Sequence, residues 1–505
     1  MDSKEKDMKL KQSSRRRFLK RSAMLAGLAA TGGIRSASGQ EFLKKLPPLP
    51  DPRERTDFVP DEAVPMDHVW RDPWTKEPMR DDAGELIVDW TGTPQWETYR
   101  KVVRSAGGPR YGAVEKDSRL YGVRSRFVTS HRLGSDGGSG IGFSGIPTAP
   151  NTTKVHFPSA GTPLEHQMGV ITPSGLHFLD EHGEVPEIDP REHRLTIFGM
   201  VDRPLTLTMD ELMDLPSVSR VHFLHCNSAG TTTYESAVQP WATAGRRFME
   251  QGCSEWTGVL LSTLFDLVGM QKGARWFYAS AQDEYNQTWS IPIWKAMDDA
   301  MIAYGQNGEP IRPEQGFPIR VLLPGFQGTM NIKRVRRIKI TNEVTNFHRG
   351  VIYSEIFPDD KITWFRMEHP PNSCILRPSG GQHLTRHGAY EIRGVAWSGG
   401  GKITKVDVTV DGGKTWKPAE VQGPVHSKAH TRFVMPWSWN GEEVTIASRS
   451  TDERGSVQPA TTAALAKHLG RDVDTLISRG YNRFNAPQPW KIDRDGKVTN
   501  AIYSI

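Results

Sequence analysis

The sequence predicts an α+β body followed by an immunoglobulin-like β-sandwich, and three observations carry that reading. From about 160 to 345 short strands alternate with helical stretches, whereas from about 346 to 460 strands dominate at the spacing of a sandwich. A chain of 505 residues also exceeds what one hydrophobic core serves. Composition fits a folded protein: 37% hydrophobic content with 15 Trp and 19 Phe opposes disorder, and 48 Gly with 35 Pro supply turns and long ordered connections.

The N-terminus reads as an address. Residues 14–20 (SRRRFLK) precede a mildly apolar run and small residues before a cut near Gly39, and the pair Arg15 and Arg16 makes residues 1–39 a twin-arginine signal peptide. Such export carries proteins already folded around a cofactor, so the expected location is periplasmic and a bound cofactor is expected with it. The first 39 residues hold ten Lys/Arg against three Asp/Glu, which accounts for the formal charge of +6 and removes the case for a nucleic-acid partner. No later stretch reaches the ~18 apolar residues of a membrane span.

Residues 40–160, rich in Pro, Gly, Arg and Asp with isolated aromatics such as Trp70 and Trp96, read as an irregular arm. The α+β body, 161–345, contains strands at 193–201 and 219–226. It also contains a helix at 208–215 with a Thr208/Glu211 capping box, and an amphipathic helix at 259–269 that ends at Gly269. The sandwich, 346–460, alternates apolar and polar residues along its strands, with a tight hairpin at Asp411-Gly412-Gly413. Residues 461–480 read as helical, and a tail with spaced aromatics runs to 505.

Three clusters could carry chemistry. Cys226 closes the strand VHFLHC and is followed by the small polar run NSAGTTT. It is open to three readings: a buried structural thiol, half of a disulfide with Cys253, or a soft thiolate ligand for a redox metal. Three cysteines are too few for a disulfide framework in an oxidising compartment, and the absence of CxxCH excludes haem attached through that motif. The second cluster, 312–340, sets Arg320 and Lys333 on either side of a Pro-Gly loop, where two cations and backbone N–H groups could hold a phosphate; a surface hairpin is the plain alternative. The third, 169–190, has His177 and His182 five apart, which is not helical metal-ligand spacing, so each alone reads as a hydrogen-bonded loop histidine.

In order along the chain, the segments ITPSGLHF, VPEIDP, HRLTIFGMVDRPLTLTMDEL, VHFLHC, EWTGVLLSTLFDLVG, AYGQNGEPIRPEQGFPIRVLLPGFQGTMNIK and VDVTVDGGKTW resemble the sulfite oxidase family of molybdopterin enzymes over about residues 165–460. The phrase YGQNGEPIRPEQGFPIR, with the twin-arginine signal, is most similar to the molybdenum subunit of bacterial sulfite or sulfane dehydrogenases, the SoxC type.

The resemblance implies a molybdopterin domain followed by a dimerisation domain, with molybdenum-molybdopterin as cofactor and no haem in this chain. It implies Cys226 as the protein thiolate on molybdenum, Tyr353 near the metal and His225 beside it. His182, Asp283, Gln315, Arg320, Asn331 and Lys333 would bind the cofactor. The implied reaction is oxidation of sulfite or carrier-bound sulfane sulfur, with electrons passing to a c-type cytochrome. A homodimer, or a heterotetramer with the cytochrome, and a sulfur-carrier protein are the implied partners. An S-oxide or N-oxide reductase and a non-catalytic assembly subunit are the alternatives. The sequence departs from the family where sulfite-binding cations are expected: it has Asp180 two residues before His182 and NSAGTTT after Cys226, leaving His225, Arg246 or Arg247 as substitutes.

Overall fold

The computed structural model describes residues 132–134, 159–181, 185–226, 238–283, 287–344, 355–356, 362–363, 367–478, 484–502 and 504. The expected signal and nearly all of the expected arm lie outside them.

Two sheets build the first body. The strands β1 (Leu195–Gly199) and β2 (Leu205–Leu207) form a hairpin, and α1 (Met209–Met213) follows under the predicted capping box: Glu211 N–H donates to Thr208 Oγ1 and Thr208 N–H to the Glu211 carboxylate. Next come β3 (Ser217–His225), α2 (Ala244–Arg247), β4 (Gln251–Leu260) and α3 (Leu261–Val268). Helix α3 stops at Gly269, whose φ of 65° is a left-handed C-cap that other residues adopt only at a cost. β5 (Trp276–Ala281), β6 (Thr288–Pro292), α4 (Ile293–Asp298), β7 (Met301–Gln306), β8 (Arg320–Leu322) and β9 (Val335–Thr341) complete the body.

One sheet has the order β7–β4–β3, with β8 on the other edge of β7; the other has the order β2–β1–β9–β5–β6. β1 and β9 pair parallel, and the long connection between them carries every other element of the body. The apolar faces of both sheets and of α3 and α4 close on one core that includes Phe265, Phe277, Trp289 and Ile338.

The second body is the expected sandwich. One sheet has the order β10 (Asn372–Arg377), β11 (Gly388–Trp397), β14 (Thr431–Trp439), β13 (Glu420–Gln422). The other is centred on β12 (Ile403–Thr409) and β15 (Val444–Asp452). At the predicted hairpin, Gly412 and Gly413 both have positive φ, and the Asp411 carboxylate accepts from Thr409 Oγ1, Thr415 Oγ1 and Thr415 N–H.

Beyond the expected boundary at 460, the chain runs through α5 (Thr462–His468) and returns as β16 (Trp490–Ile492) and β17 (Val498–Asn500), which extend the β12–β15 sheet. The aromatic tail is therefore part of the sandwich: Trp490 is fully buried, and its area is worth about 4–6 kcal/mol on transfer from water. The two bodies share a continuous apolar seam in which Phe223, Phe248 and Cys253 of the first meet Trp397 and Phe433 of the second. Among the described residues no helix is long and apolar enough to cross a membrane.

Candidate cofactor site

Strand β3 presents alternate residues to its two sides, and this periodicity sorts the cysteines. Phe223 pairs across the strands with Cys253 and both lie in the seam with the sandwich, while Leu224 and Cys226 share the opposite cluster with Phe178, Trp256 and Leu322. A Cys226–Cys253 disulfide is thus excluded by the pleat, and all three cysteines are buried and outside any disulfide. Burial pushes the Cys253 thiol up to about 12 and also raises that of Cys374, so both are inert under ordinary conditions.

Cys226 is 6% exposed, and its N–H donates to Glu250 O at 2.9 Å. Its sulfur and one oxygen each from the Asp180 and Glu250 carboxylates lie within 4.8 Å of one another. The loop after β8 lies directly on this cysteine: a Cβ added at Gly328 would stand 3.1 Å from Cys226 Cα. A side chain here would force its neighbours to shift by a few tenths of an ångström, and glycine lets two clusters a hundred residues apart in sequence meet at the thiol.

Asn331 holds that loop closed. Its Oδ1 accepts from Leu323 N–H at 2.7 Å and its Nδ2 donates to Gln327 O at 2.9 Å. Gln315 is anchored by Nε2 donating to Phe178 O at 2.6 Å. Arg320, 3% exposed, donates from Nη1 to Gln315 O at 2.9 Å and from Nη2 to Asn331 O at 3.1 Å, and lies 5.3 Å from the Trp256 ring centroid. Its Nε has no hydrogen-bond partner, and among the described residues no carboxylate comes within ion-pairing distance. Burial lowers its pKa to about 9, the Arg334 charge adding to that and the Glu181 charge opposing it only in part.

Lys333 is backbone-paired with Arg320 but electrostatically spoken for. Its Nζ donates to Asp180 O and Glu181 Oε1, both at 2.9 Å. Glu181 also receives Arg334 Nη2 at 2.7 Å, and Arg334 continues to Asp283 at 3.0 Å. Burial pushes the Glu181 carboxyl up, but the charges and hydrogen bonds of Lys333 and Arg334 outweigh it and hold the group below the usual range. Of the two expected phosphate cations, Arg320 has charge left to give, while Lys333 and Asp283 belong to an internal ion network.

The structure separates other expected residues from the thiol. The His225 ring projects to the sandwich side of β3, opposite Cys226, where its Nδ1 accepts from Trp397 Nε1 at 3.0 Å and its ring stacks on His369 at 4.2 Å and 10°. Arg247 is buried and donates to Gln488 Oε1. His182, Tyr353 and residues 227–237 lie outside the described residues. Sequence reasoning did not single out His177 as a site residue, yet it is fully buried beside Phe178 and Trp256. Its Nδ1–H donates to Phe178 O at 3.1 Å, its Nε2 has no hydrogen-bond partner, and burial lowers its pKa to about 3. Nor did it single out Asp180 or Glu250 as neighbours of the sulfur; nothing local in the sequence signals either one.

The arrangement suits a buried group with an anionic end and a thiophilic metal. Arg320 Nε and His177 Nε2 are buried polar atoms without partners, a glycine cradle lies against the cysteine, and the sulfur is a soft donor.

Comparison with known proteins agrees. Residues 182–348 match the oxidoreductase molybdopterin binding domain and residues 364–470 the Mo-co oxidoreductase dimerisation domain. The crystal structure of the sulfane dehydrogenase SoxCD from Paracoccus pantotrophus superposes with a TM-score of 0.67 at 32% identity, covering 77% of this chain and 94% of that one. The NADH nitrate reductase of Volvox carteri is 32% identical over 346 residues, 58% of this chain and 38% of that protein. NADH nitrate reductase 1 of Phaseolus vulgaris is 31% identical over 355 residues, 61% of this chain and 40% of that protein. The chain thus spans about two fifths of the length of these curated relatives.

Proposed function

The chain belongs to the sulfite oxidase family of molybdopterin oxidoreductases, on its SoxC-like side, and from that premise we propose that it oxidises sulfite or carrier-bound sulfane sulfur in the periplasm and passes the electrons to a c-type cytochrome. The observation that carries the proposal is the presence at one site of a buried cysteine outside any disulfide, Cys226, and a buried arginine, Arg320, that makes no ion pair with a carboxylate among the described residues. The likeness to a sulfane dehydrogenase supports the sulfur substrate. The twin-arginine motif at Arg15 and Arg16 supports the compartment, and the dimerisation domain supports a homodimer, alone or within a heterotetramer with the cytochrome.

Molybdenum bound through its pterin supplies two-electron redox chemistry coupled to oxygen-atom transfer. The chain's own part is placement. Cys226, packed among Leu224, Trp256 and Leu322, would ligate the metal, the loop at Gly328 lies against it, and Arg320 with its unpartnered Nε would hold the phosphate. Adding one oxygen from water to a sulfur centre releases two protons and two electrons. The Asp180 and Glu250 carboxylate oxygens, beside the sulfur, are positioned to accept the protons.

A second reading has its own observation. The curated relatives are nitrate reductases, so the same site run in reverse would reduce an N-oxide or S-oxide. Elemental analysis of exported protein, combined with ferricyanide-coupled oxidation of sulfite and a carrier-bound persulfide and with viologen-coupled reduction of nitrate and methionine sulfoxide, decides between them. Stoichiometric molybdenum with sulfur oxidation is the expected result. Absence of molybdenum and pterin overturns the whole reading, and reduction without oxidation overturns the direction.

The role of Arg320 has a separate test. In the cofactor-free protein Arg320→Met leaves stability within about 1 kcal/mol of wild type or raises it, because the variant no longer buries an uncompensated charge. In the loaded protein it weakens cofactor retention by about 2–5 kcal/mol, read as lost pterin phosphate in purified material. Equal destabilisation of both forms would make Arg320 structural.

A further inference from the structure

Electrons exchanged at a buried site need a way through the protein, and one bonded path leads from Cys226 to the surface. The peptide unit joining His225 to Cys226 presents its carbonyl to His369, whose Nε2–H donates to His225 O at 2.8 Å. The two imidazoles stack in parallel, 4.2 Å between centroids and 10° between planes, and Trp397 Nε1–H fixes the His225 ring through Nδ1 at 3.0 Å. Both rings are held in one orientation by hydrogen bonds that use different atoms, so the stack is rigid.

His369 itself lines a cleft of about 710 Å³ between the two bodies, together with Trp294, Phe326, Met367 and Val457. Trp294 is 55% exposed and Val457 56%, and the cleft is also lined by the Glu368–Arg454 ion pair, so it opens to solvent through apolar and charged side chains together. The wall strand is also bonded to the loop that lies on the thiol: His369 N–H donates to Gly325 O at 3.0 Å, and Gln327 N–H to Met367 O at 2.9 Å. Electronic coupling decays far less through covalent and hydrogen bonds than through space. From the sulfur to the cleft wall the path needs the Cys226–His225 peptide and a single hydrogen bond.

We infer that His369, through its hydrogen bond to the His225 carbonyl, is the route by which electrons leave the metal site for a one-electron acceptor at the cleft. The acceptor class is a ferric haem protein, two equivalents of which take one electron each for every two-electron oxidation. His369 acts through Cys226 and is a positioning residue for electron transfer, touching neither substrate nor metal. The inference rests on the molybdenum reading of the site but not on which sulfur compound is oxidised.

The test therefore bypasses the substrate. Holoprotein reduced chemically with dithionite, freed of excess reductant, is mixed with ferric cytochrome c, and reoxidation is followed by the haem absorbance and by the rise and decay of the Mo(V) EPR signal. His369→Gln keeps an N–H donor for the His225 carbonyl, whereas His369→Phe keeps a ring in the stack and loses the donor. The expected result is reoxidation near the wild-type rate in the first variant. In the second it is slowed on the order of tenfold, the rate equivalent of about 1.4 kcal/mol of barrier, with molybdenum content and signal shape unchanged. Equal rates in wild type and both variants overturn the route. Slowing that accompanies lost molybdenum or an altered signal in both variants also overturns it, by assigning His369 to the architecture of the site. If the holoprotein contains no molybdenum at all, the cofactor reading itself has failed, and the elemental analysis shows this before any rate is measured.

Discussion

Cys226→Ala yields a folded protein with oxidation activity at background. The fold survives because the side chain removed is small. It packs among Leu224, Trp256 and Leu322, and losing one sulfur from a buried apolar cluster costs about 1 kcal/mol, well within the stability of a domain. Activity does not survive, because the thiol is the soft donor at the meeting point of β3 and the Gly328 loop, and the other two cysteines cannot replace it. Cys253 lies on the opposite face of the sheet with its proton held to about 12, and Cys374 belongs to the sandwich core. The Arg320 end is untouched, so pterin content falls less than molybdenum content. Circular dichroism, molybdenum and pterin analysis and ferricyanide-coupled turnover on one preparation check all three statements. Turnover in a variant with full molybdenum would remove Cys226 from the chemistry.

Stability falls steeply as pH drops below about 6.5. Four histidines are buried and held neutral: burial lowers His177 and His430 to about 3, His222 to about 4, and His369 well below its ordinary value. In the unfolded chain each takes up a proton near its ordinary pKa of 6.5, while the folded chain does not until the pH approaches the lowered value. The unfolded state therefore binds more protons across that window, and stability rises with pH through it and is lost as pH falls. Each group contributes about 1.4 kcal/mol per pH unit at full slope, so at pH 5 His177, His430 and His222 together cost about 6 kcal/mol, within the range of a typical domain's whole stability, and His369 acts in the same direction. Urea midpoints at pH 8 and pH 5 measure this. His430→Gln, which keeps an amide to face Gln167 and Gln251, removes one of the four increments; an unchanged slope would show that His430 protonates in the fold. Glu181, with its lowered value, adds a loss only at more acidic pH, below the ordinary carboxyl range.

The legible parts of this protein are those whose cause lies within a few residues. Thr208 and Glu211 announce α1 because a capping box is a contact three residues long, and Gly269 announces the end of α3 because only one turn of backbone is involved. The end of β3 at Cys226 was equally visible, but the meaning of that cysteine came from the order of motifs over three hundred residues. What stayed hidden depends on long-range pairing. His225 and Cys226 are adjacent in sequence, and only the packing of two bodies against β3 reveals that they serve opposite sides. The cations Arg320 and Lys333 look equivalent in sequence. Glu181, more than a hundred residues away, neutralises one and leaves the other. The tail showed only spaced aromatics because β16 and β17 are strands of three residues each, too short for a period of two to declare itself.

Those two short strands also fasten the two bodies to each other. β16 pairs with β15, and Asn500 ties back to the first body, its N–H donating to Pro240 O at 2.8 Å and its Nδ2 to Gln239 O at 3.0 Å. At a synthesis rate of about 5–20 residues per second the first body emerges many seconds before its last fastening exists. Without β16 and β17 the sandwich lacks its outer strands, and the cluster around Trp397 loses the cover of Trp490.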